Sequence, residues 1–319
     1  MIEQNIRCIE LPIPGALGAG NVYVVVNGNR AALIDTGMAS EQNVEILTSK
    51  LGELGHSFAS LDKVLCTHYH PDHCGLARQF QDAGTDVFMS KADRRALVNW
   101  QQSPAVDKEM AEFYGEHPLP EDFCAAVLPA FEFLRTLQQP FFPMDAGDDG
   151  SVIELAGIPF DLIETPGHTD GHMCLVQREQ GVMITGDQVL PDRVVNIALR
   201  HQSGYDSALL QYLHSLKKII GLGPLRGLPG HGGPINDVSA RCAELLILHQ
   251  QKVDRVEAVL TAAPRGAYTL SCQAFGEKRR PFSKWLNMAQ TVACLEYLAS
   301  LEKVNCHRLG NMLHYSRIA

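Results

Sequence analysis

The segment Thr67-His68-Tyr69-His70-Pro71-Asp72-His73 packs three imidazoles and one carboxylate into six residues, from His68 to His73. It directly follows Lys63 to Thr67 (KVLCT), an apolar, β-branched run that predicts a buried strand. Imidazole and carboxylate are the nitrogen and oxygen donors that suit zinc or another first-row cation. In a compact turn, alternate side chains can face different ions. A histidine-rich surface loop is the bland alternative, but a strand end rarely gathers such a density of ligating groups. The fold must therefore leave this strand end open and bring further donors to it.

Three later segments are suited to that task. Thr165-Pro166-Gly167-His168-Thr169, Thr185-Gly186-Asp187 and Leu228-Pro229-Gly230-His231-Gly232 each place a histidine or aspartate beside glycine, just after a strand pattern. Together with the first cluster they supply enough donors for two sites.

The order of elements predicts an α/β layer architecture. Val22 to Val26 and Ala31 to Ile34 read as strands joined by Asn27-Gly28-Asn29, so a β-hairpin is expected to open the fold. Ser40 caps a helix that runs through Val44, Leu47 and Leu51 toward Gly55. Leu76 to Phe80 is expected as helix and Val87 to Met89 as strand. Residues 91–149 change character: they are acidic, rich in aromatics and interrupted by prolines, and they predict a helical insertion. Strands are expected again at Val152 to Leu155, Phe160 to Glu164, Met173 to Gln177 and Val182 to Thr185, then a helix from Tyr205 to Ile220. Beyond Asp237 come a long amphipathic helix, a break at Pro264-Arg265-Gly266, two more helices and β-like pieces around Gly310-Asn311. Three helices and a hairpin suggest a winged-helix-like module. The expected division is a catalytic domain over 1–238 and this smaller domain over 239–319.

Composition narrows the setting. The first residues lack a basic stretch followed by a continuous apolar run, and no run is long and apolar enough to span a membrane. Nine cysteines, an odd number with no C-x-x-C pair, suit reduced thiols in a cytoplasmic protein. Cys66 and Cys74, which flank the histidine cluster, are expected to pack as small apolar groups. The net charge of −9 conceals an asymmetry: residues 240–319 hold eleven Lys/Arg against six Asp/Glu, a local +5, which leaves −14 on the preceding 239 residues. A basic module can follow nucleic acid, or it can dock on an acidic neighbour. Docking or plain solvation is the simpler reading. No feature marks a symmetric interface, so oligomeric state is left open.

H-x-H-x-D-H followed by PGHT, TGD and PGHG resembles the metallo-β-lactamase superfamily, and the spaced motifs cover about residues 20–235, with Asp35-Thr36-Gly37 fitting as well. The resemblance implies an αββα sandwich with two divalent metal ions at one edge, zinc by preference, with iron or manganese compatible with the same donors. It implies His68, His70 and His168 as ligands of one ion, Asp72, His73 and His231 as ligands of the other, and Asp187 as the bridge. Asp35 is implied to orient ligands from behind, and Asp72 to orient the nucleophile as well as bind metal. His172, four residues after His168 at the start of a strand, reads as a buried hydrogen-bonding residue behind the ligands. The remaining histidines have no partner spacing and are assigned nothing.

Two metals imply hydrolysis, with a hydroxide held between them as nucleophile. A carboxylate at the position of Asp187 resembles the thioesterases, lactonases, glyoxalase II enzymes and nucleases of the family, whereas many of its zinc β-lactamases carry cysteine there. The preferred substrate is a small-molecule ester or thioester, such as an acyl-CoA or acyl carrier, under an apolar lid formed by residues 91–149. Phosphodiester cleavage of single-stranded RNA is the alternative, supported by the basic tail, but an acidic lid would repel a polyanion. Lactonase and hydroxyacylglutathione hydrolase activities come after these. A non-catalytic regulator is disfavoured because every implied ligand is present.

Overall fold

The computed structural model of the chain describes residues 5–13, 18–102, 115–120, 135–195, 207–278 and 280–318, together with 123, 127, 129, 132, 133 and 197. The expected helical content at 103–114 and the expected helix start at Tyr205 lie outside the described residues.

Two sheets lie face to face. The first has six strands in sequential order: β1 (Ile6–Pro12), β2 (Ala19–Asn27), β3 (Arg30–Ile34), β4 (Val64–Leu65), β5 (Val87–Met89) and β6 (Met144–Asp145). The second has five, β7 (Val152–Leu155), β8 (Ile158–Glu164), β9 (Met173–Gln177), β10 (Val182–Gly186) and β11 (Arg226–Pro229), in the order β11-β10-β9-β8-β7. The alternation of strand side chains builds three layers of core. Tyr23 and Val25 of β2 and Ala32 and Ile34 of β3 point between the sheets, where they meet Leu155, Phe160, Leu162, Met173 and Leu175. Their neighbours Val22, Val24, Ala31 and Leu33 point outward against Leu47 and Leu51 of α1 (Glu41–Glu53) and Phe80 of α3 (Ala77–Asp82). On the far side Cys174, Val176 and Met183 pack under α5 (Ala208–Ile220) and α6 (Val238–Val259). The result is the αββα sandwich.

Helix boundaries follow local chemistry. Ser40, Ser207 and Asp237 each accept a backbone N–H three residues on and so cap α1, α5 and α6. The hairpin between β2 and β3 forms as expected, but it does not open the fold: β1 precedes it and pairs antiparallel along the whole of β2 from Ile6 opposite Val25 to Pro12 opposite Ala19. The stretch expected as a helical insertion begins with α4 (Lys91–Gln102), yet it ends in a strand, because β6 pairs in parallel with β5 and closes the first sheet. The C-terminal segment contains β12 (Arg265–Gly266), α7 (Ala267–Phe275), α8 (Pro281–Ser300), β13 (Val304–Leu309) and β14 (Met312–Arg317), with the sheet order β12-β14-β13. With α6 this is compatible with a winged-helix-like unit. Its core is continuous with that of the sandwich: Leu245, Val256, Leu270, Met288 and Leu298 share one cluster with Leu209, Tyr212 and Leu216 of α5. Among the described residues no helix is long and apolar enough to cross a membrane.

Sheet polarity places the functional loops. β3, β4 and β5 are mutually parallel, and so are β10 and β11, while β9 runs against both β8 and β10 and thereby makes β8 parallel to β10. Asp35 follows β3, the histidine cluster follows β4, His168 follows β8, Asp187 follows β10 and His231 follows β11. All five therefore leave C-terminal strand ends, and the backbone bonds Asn21 N to Gly230 O (2.7 Å) and Met173 N to Thr67 O (2.9 Å) tie these ends across the two sheets.

α2 (Pro71–Cys74) is only one turn long, and the chain leaves it through Gly75, whose backbone lies against the turn after β3. A Cβ on Gly75 would lie 2.5 Å from Pro71 O, 2.6 Å from Ala39 N and 2.9 Å from Gly37 O, all backbone atoms that cannot move independently. Gly52, inside α1, has nothing within 4 Å of such a Cβ. Gly75→Ala is expected to destabilise the protein by about 1–3 kcal/mol or more through overpacking, whereas Gly52→Ala should stabilise it by about 0.5–1 kcal/mol. Denaturant midpoints of the two variants check the pair, and equal shifts would contradict it.

Candidate metal centre

Asp35 sits at the base of the site. It is buried, with a backbone φ of 60° that few residues other than glycine, asparagine and aspartate adopt readily. Its Oδ1 accepts the Thr67 N–H at 2.7 Å, and its Oδ2 accepts both the Thr67 hydroxyl (2.9 Å) and His73 Nδ1–H (2.8 Å). Thr67 Oγ1 lies 3.1 Å from His68 Nδ1 and, with its own hydroxyl hydrogen directed at Asp35, accepts a hydrogen bond from the Nδ1–H. One carboxylate thus fixes the rings of His73 and, through Thr67, His68, and it leaves both Nε2 atoms facing the cavity at the strand ends. His231 is set in the same way, its Nδ1–H donating to Ala19 O at 2.8 Å.

The structure brings together all seven residues expected to bind metal. Their donor atoms form three convergent groups, each spanning no more than 4.8 Å: His68, His70 and His168; His68, His73 and Asp187; Asp72, His73 and His231. His70 Nδ1 lies 3.1 Å from His68 Nε2 and 3.0 Å from His168 Nε2. Asp187 stands between the two histidine sets, with one oxygen 3.4 Å from His73 Nε2 and the other 3.7 Å from His168 Nε2 and 3.4 Å from His231 Nε2. Asp72 reaches His231 Nε2 at 3.3 Å from the more open side. His172 is placed behind these groups: its Nε2 accepts the Asp187 N–H at 3.1 Å while Nδ1 faces Thr165 Oγ1 at 2.9 Å. This bonding engages both ring nitrogens and orients the loop that carries Asp187.

The donor set fits a pair of cations. His73 Nε2 and Asp187 Oδ1 are buried and make no hydrogen bond, an arrangement that is costly unless a ligand completes it. Gly230 leaves the necessary room, since a Cβ there would lie 2.5 Å from Asp187 Oδ1 and 2.6 Å from His73 Cε1. Electrostatics point the same way. Burial keeps His68 neutral and pushes His70 down to about 3, aided by the neighbouring His168. Burial also opposes charge on His231, but Asp187 and Asp72 outweigh it and raise the pKa to about 10. His73 is likewise raised, with Asp187, Asp35 and Asp72 overcoming its burial. Burial works against ionisation of Asp72 too, but His73 and His231 prevail and bring it to about 2; the same histidines hold Asp187 well below the usual carboxylate range. The protons on His73 and His231 occupy the places where the buried carboxylates require positive charge.

One residue at the site carried no expectation. Asp93, in the first turn of α4, is fully buried and accepts hydrogen bonds from Tyr69 N, Thr169 Oγ1 and Gly171 N. Its local signal is Ser90-x-x-Asp93, a helix-start spacing in which Ser90 Oγ accepts the Asp93 N–H. That spacing marks a cap and says nothing of the loops Asp93 reaches. Cys66 and Cys74 are buried, and burial pushes both thiols up, as suits small apolar packing groups.

Comparison with known proteins agrees with this geometry. The family model described as the metallo-beta-lactamase superfamily matches residues 15–231. A probable metallo-hydrolase of Bacillus subtilis (strain 168), YqjP, is 26% identical over 99% of this chain and 98% of its own. An atrochrysone carboxyl ACP thioesterase of Aspergillus fumigatus is 25% identical over 78% of this chain, which spans only 46% of that longer protein. Among solved structures, a metallo-beta-lactamase family protein of Thermus thermophilus matches with a TM-score of 0.83 and 29% identity, over 98% of this chain and 99% of that one. A beta-lactamase domain protein of Burkholderia ambifaria shares the fold at a TM-score of 0.84 and 20% identity, over 98% of this chain and 92% of that one. The sandwich, the converging donors and these likenesses lead to one conclusion: the chain belongs to the metallo-beta-lactamase superfamily and is a metal-dependent hydrolase.

Proposed function

We propose that the chain hydrolyses a thioester or ester of a small acyl group, with two divalent cations held by His68, His70 and His168 on one side, by Asp72, His73 and His231 on the other, and by Asp187 between them. The observation that carries this reading is the position of Asp187, whose two oxygens face histidines of both sets. When bound, the cations supply an acidified water as nucleophile and polarise the carbonyl oxygen under attack. Asp72, ionised and on the more open side of the site, is placed to accept a hydrogen bond from the attacking water and hold it in line. Asp35 and His172 act from behind, through His73, Thr67 and the Asp187 backbone. Cytoplasmic residence is part of the proposal, and it rests on the cysteine usage.

Two observations support the acyl substrate over RNA. Several curated relatives are named as ACP thioesterases. Several basic side chains of the C-terminal segment, which would have to follow a polyanion, are engaged within the protein: Arg241 binds Leu190 O and Arg193 O, Lys252 binds Gln290, Lys303 binds Glu257, and Arg308 binds Glu116. Each of these side chains would have to leave its present partner before it could follow phosphates.

Replacing His70 or Asp187 with alanine is expected to lower metal content and to cut turnover by roughly 10²-fold or more, at least the scale of losing one electrostatic stabiliser of a transition state; a metal-free variant with full turnover would sink the scheme. The metal-loaded protein is expected to release free thiol from acyl-CoA or acyl-carrier thioesters in a panel that also contains lactones, S-lactoylglutathione, phosphodiesters and single-stranded RNA. Cleavage of RNA with every ester left intact would overturn the substrate reading.

The charge state of the site makes a third expectation. His231 keeps its proton up to a pH of about 10 in the metal-free protein, so a cation binding at its Nε2 at neutral pH must displace that proton. Metal uptake should release protons, and apparent affinity should rise with pH over the neutral range. Titration calorimetry in two buffers of different ionisation heat measures this, and identical heats in both would contradict it.

A further inference from the structure

Asp93 joins two loops that are far apart in sequence. Its Oδ2 accepts the Tyr69 N–H (3.2 Å) and the Thr169 hydroxyl (2.7 Å), and its Oδ1 accepts the Gly171 N–H (2.7 Å). Tyr69 lies between His68 and His70, and Thr169 and Gly171 follow His168. These are the two loops whose histidines form the first donor group. The contact is close-fitting: a Cβ on Gly171 would collide with Ser90 Oγ and with the backbone nitrogen and Oδ1 of Asp93. Among the described residues no lysine or arginine pairs with Asp93. Burial raises its carboxyl to about 7 although all three hydrogen bonds favour the ionised form. A buried carboxylate without a cation is a costly choice for stability alone. Near neutral pH, what it offers in return is acceptor capacity for three donors on two loops at once.

We propose that Asp93 is a positioning residue for one of the two metal sites: it holds the loop of His68 and His70 against the loop of His168, so that their three donor nitrogens converge. The inference rests on the reading that these three histidines hold one ion, and it is independent of which substrate is hydrolysed. Asp93 also lies in the first turn of α4, the helix that leads into residues 103–114, so the same carboxylate registers the root of that segment to the metal site.

Asparagine at this position keeps the volume but sets an amide N–H against one of the backbone donors, whichever way the group is turned. Asp93→Asn should therefore weaken one tie without removing the side chain. Thr169→Val removes only the hydroxyl donor. The test is cobalt(II) titration of the metal-free protein, followed by visible absorption, alongside thermal melting at pH 8.

Asp93→Asn is expected to weaken one of the two cobalt equivalents by about 10–100-fold, the usual cost of losing a supporting partner, to alter its absorption bands, and to leave the other equivalent unchanged. Thr169→Val should weaken the same equivalent by a smaller factor. The pKa of Asp93 is raised on folding, so its contribution to stability is lost as pH climbs through about 7. At pH 8 the asparagine variant should accordingly melt within a few degrees of the parent. Wild-type affinity and spectrum for both equivalents would overturn the proposal, as would an equal loss at both equivalents with a collapse in melting temperature. If Asp93→Asn does not fold, Thr169→Val decides alone, and an unshifted cobalt titration in that variant overturns the proposal. Failure to hydrolyse thioesters would leave these titrations unchanged, so the two readings fail separately.

Discussion

The arrangement of the site depends on the single buried carboxylate of Asp35. It receives two donors from Thr67 and one from His73, and it does so from the end of β3 in a left-handed backbone conformation. The consequences spread in two directions. The hydrogen bonds to Thr67 clamp the end of β4 to the end of β3, which continues the pairing that the short two-residue ladder between them supports only weakly. The bond to His73 then fixes the first turn of α2 against the same strand end. With Nδ1 of His73 and Nδ1 of His68 both directed toward this carboxylate network, their Nε2 atoms have one direction left, into the cavity. Imidazole can serve two masters because its nitrogens are distinct, and the protein uses one for anchoring and the other for chemistry.

Around this anchor the two sheets act as a vice. Each donor-bearing loop leaves a strand at its C-terminal end, and inter-sheet packing of Tyr23, Ile34, Leu65, Leu162, Met173 and Leu175 fixes how far apart those ends can lie. A loop on a packed sandwich has little freedom at its root, so side chains at its start are held to the rigidity of the core. This explains how residues as distant in sequence as Asn21 and Gly232 are bonded at 2.9 Å in the floor of the site. It also explains the cluster of glycines: where backbones from opposite sheets meet among five imidazoles, as at Gly230, there is no volume for a side chain.

Much of this could be read from the sequence because the information was local. The histidine cluster, the hairpin turn at Asn27-Gly28, the cap at Ser40 and the strand patterns from Val152 to Thr185 each state their meaning within a few residues. The structure gathers His68, His70, Asp72, His73, His168, Asp187 and His231 within reach of one another, as the spaced motifs implied. What escaped was set by partners elsewhere in the chain. The apolar alternation of β1 breaks between Cys8 and Ile9 and the run ends in Pro12, so only its pairing with β2 makes it a strand. β6 is two residues whose one ladder partner, β5, lies more than fifty positions upstream. Asp93 looks like a cap residue in its own segment, and its three acceptor bonds to two other loops exist only after folding. A carboxylate that bonds backbone N–H groups leaves no pattern in the residue types of its partners.

The middle segment meets the C-terminal one through a small set of specific contacts. Leu313 N donates to Glu116 O at 2.6 Å, Arg308 pairs with the Glu116 carboxylate, His117 stacks on Tyr315, and Phe123 meets Tyr268 edge-on. Gly266 lies so close to Pro118 that it has no room for a side chain. A partly exposed ion pair such as Arg308–Glu116 adds little stability by itself. The backbone bond and the aromatic contacts fix the geometry. Glu116, His117, Pro118 and Phe123 are thus tied to the hairpin β13–β14, to Gly266 and to α7 at one end. Through Asp93, α4 is tied to the ligand loops at the other. The first turn of α4 is thus placed by the donor loops, and residues 116–118 and 123 by the C-terminal unit. The position of these residues therefore depends on the C-terminal fold as well as on their own sequence.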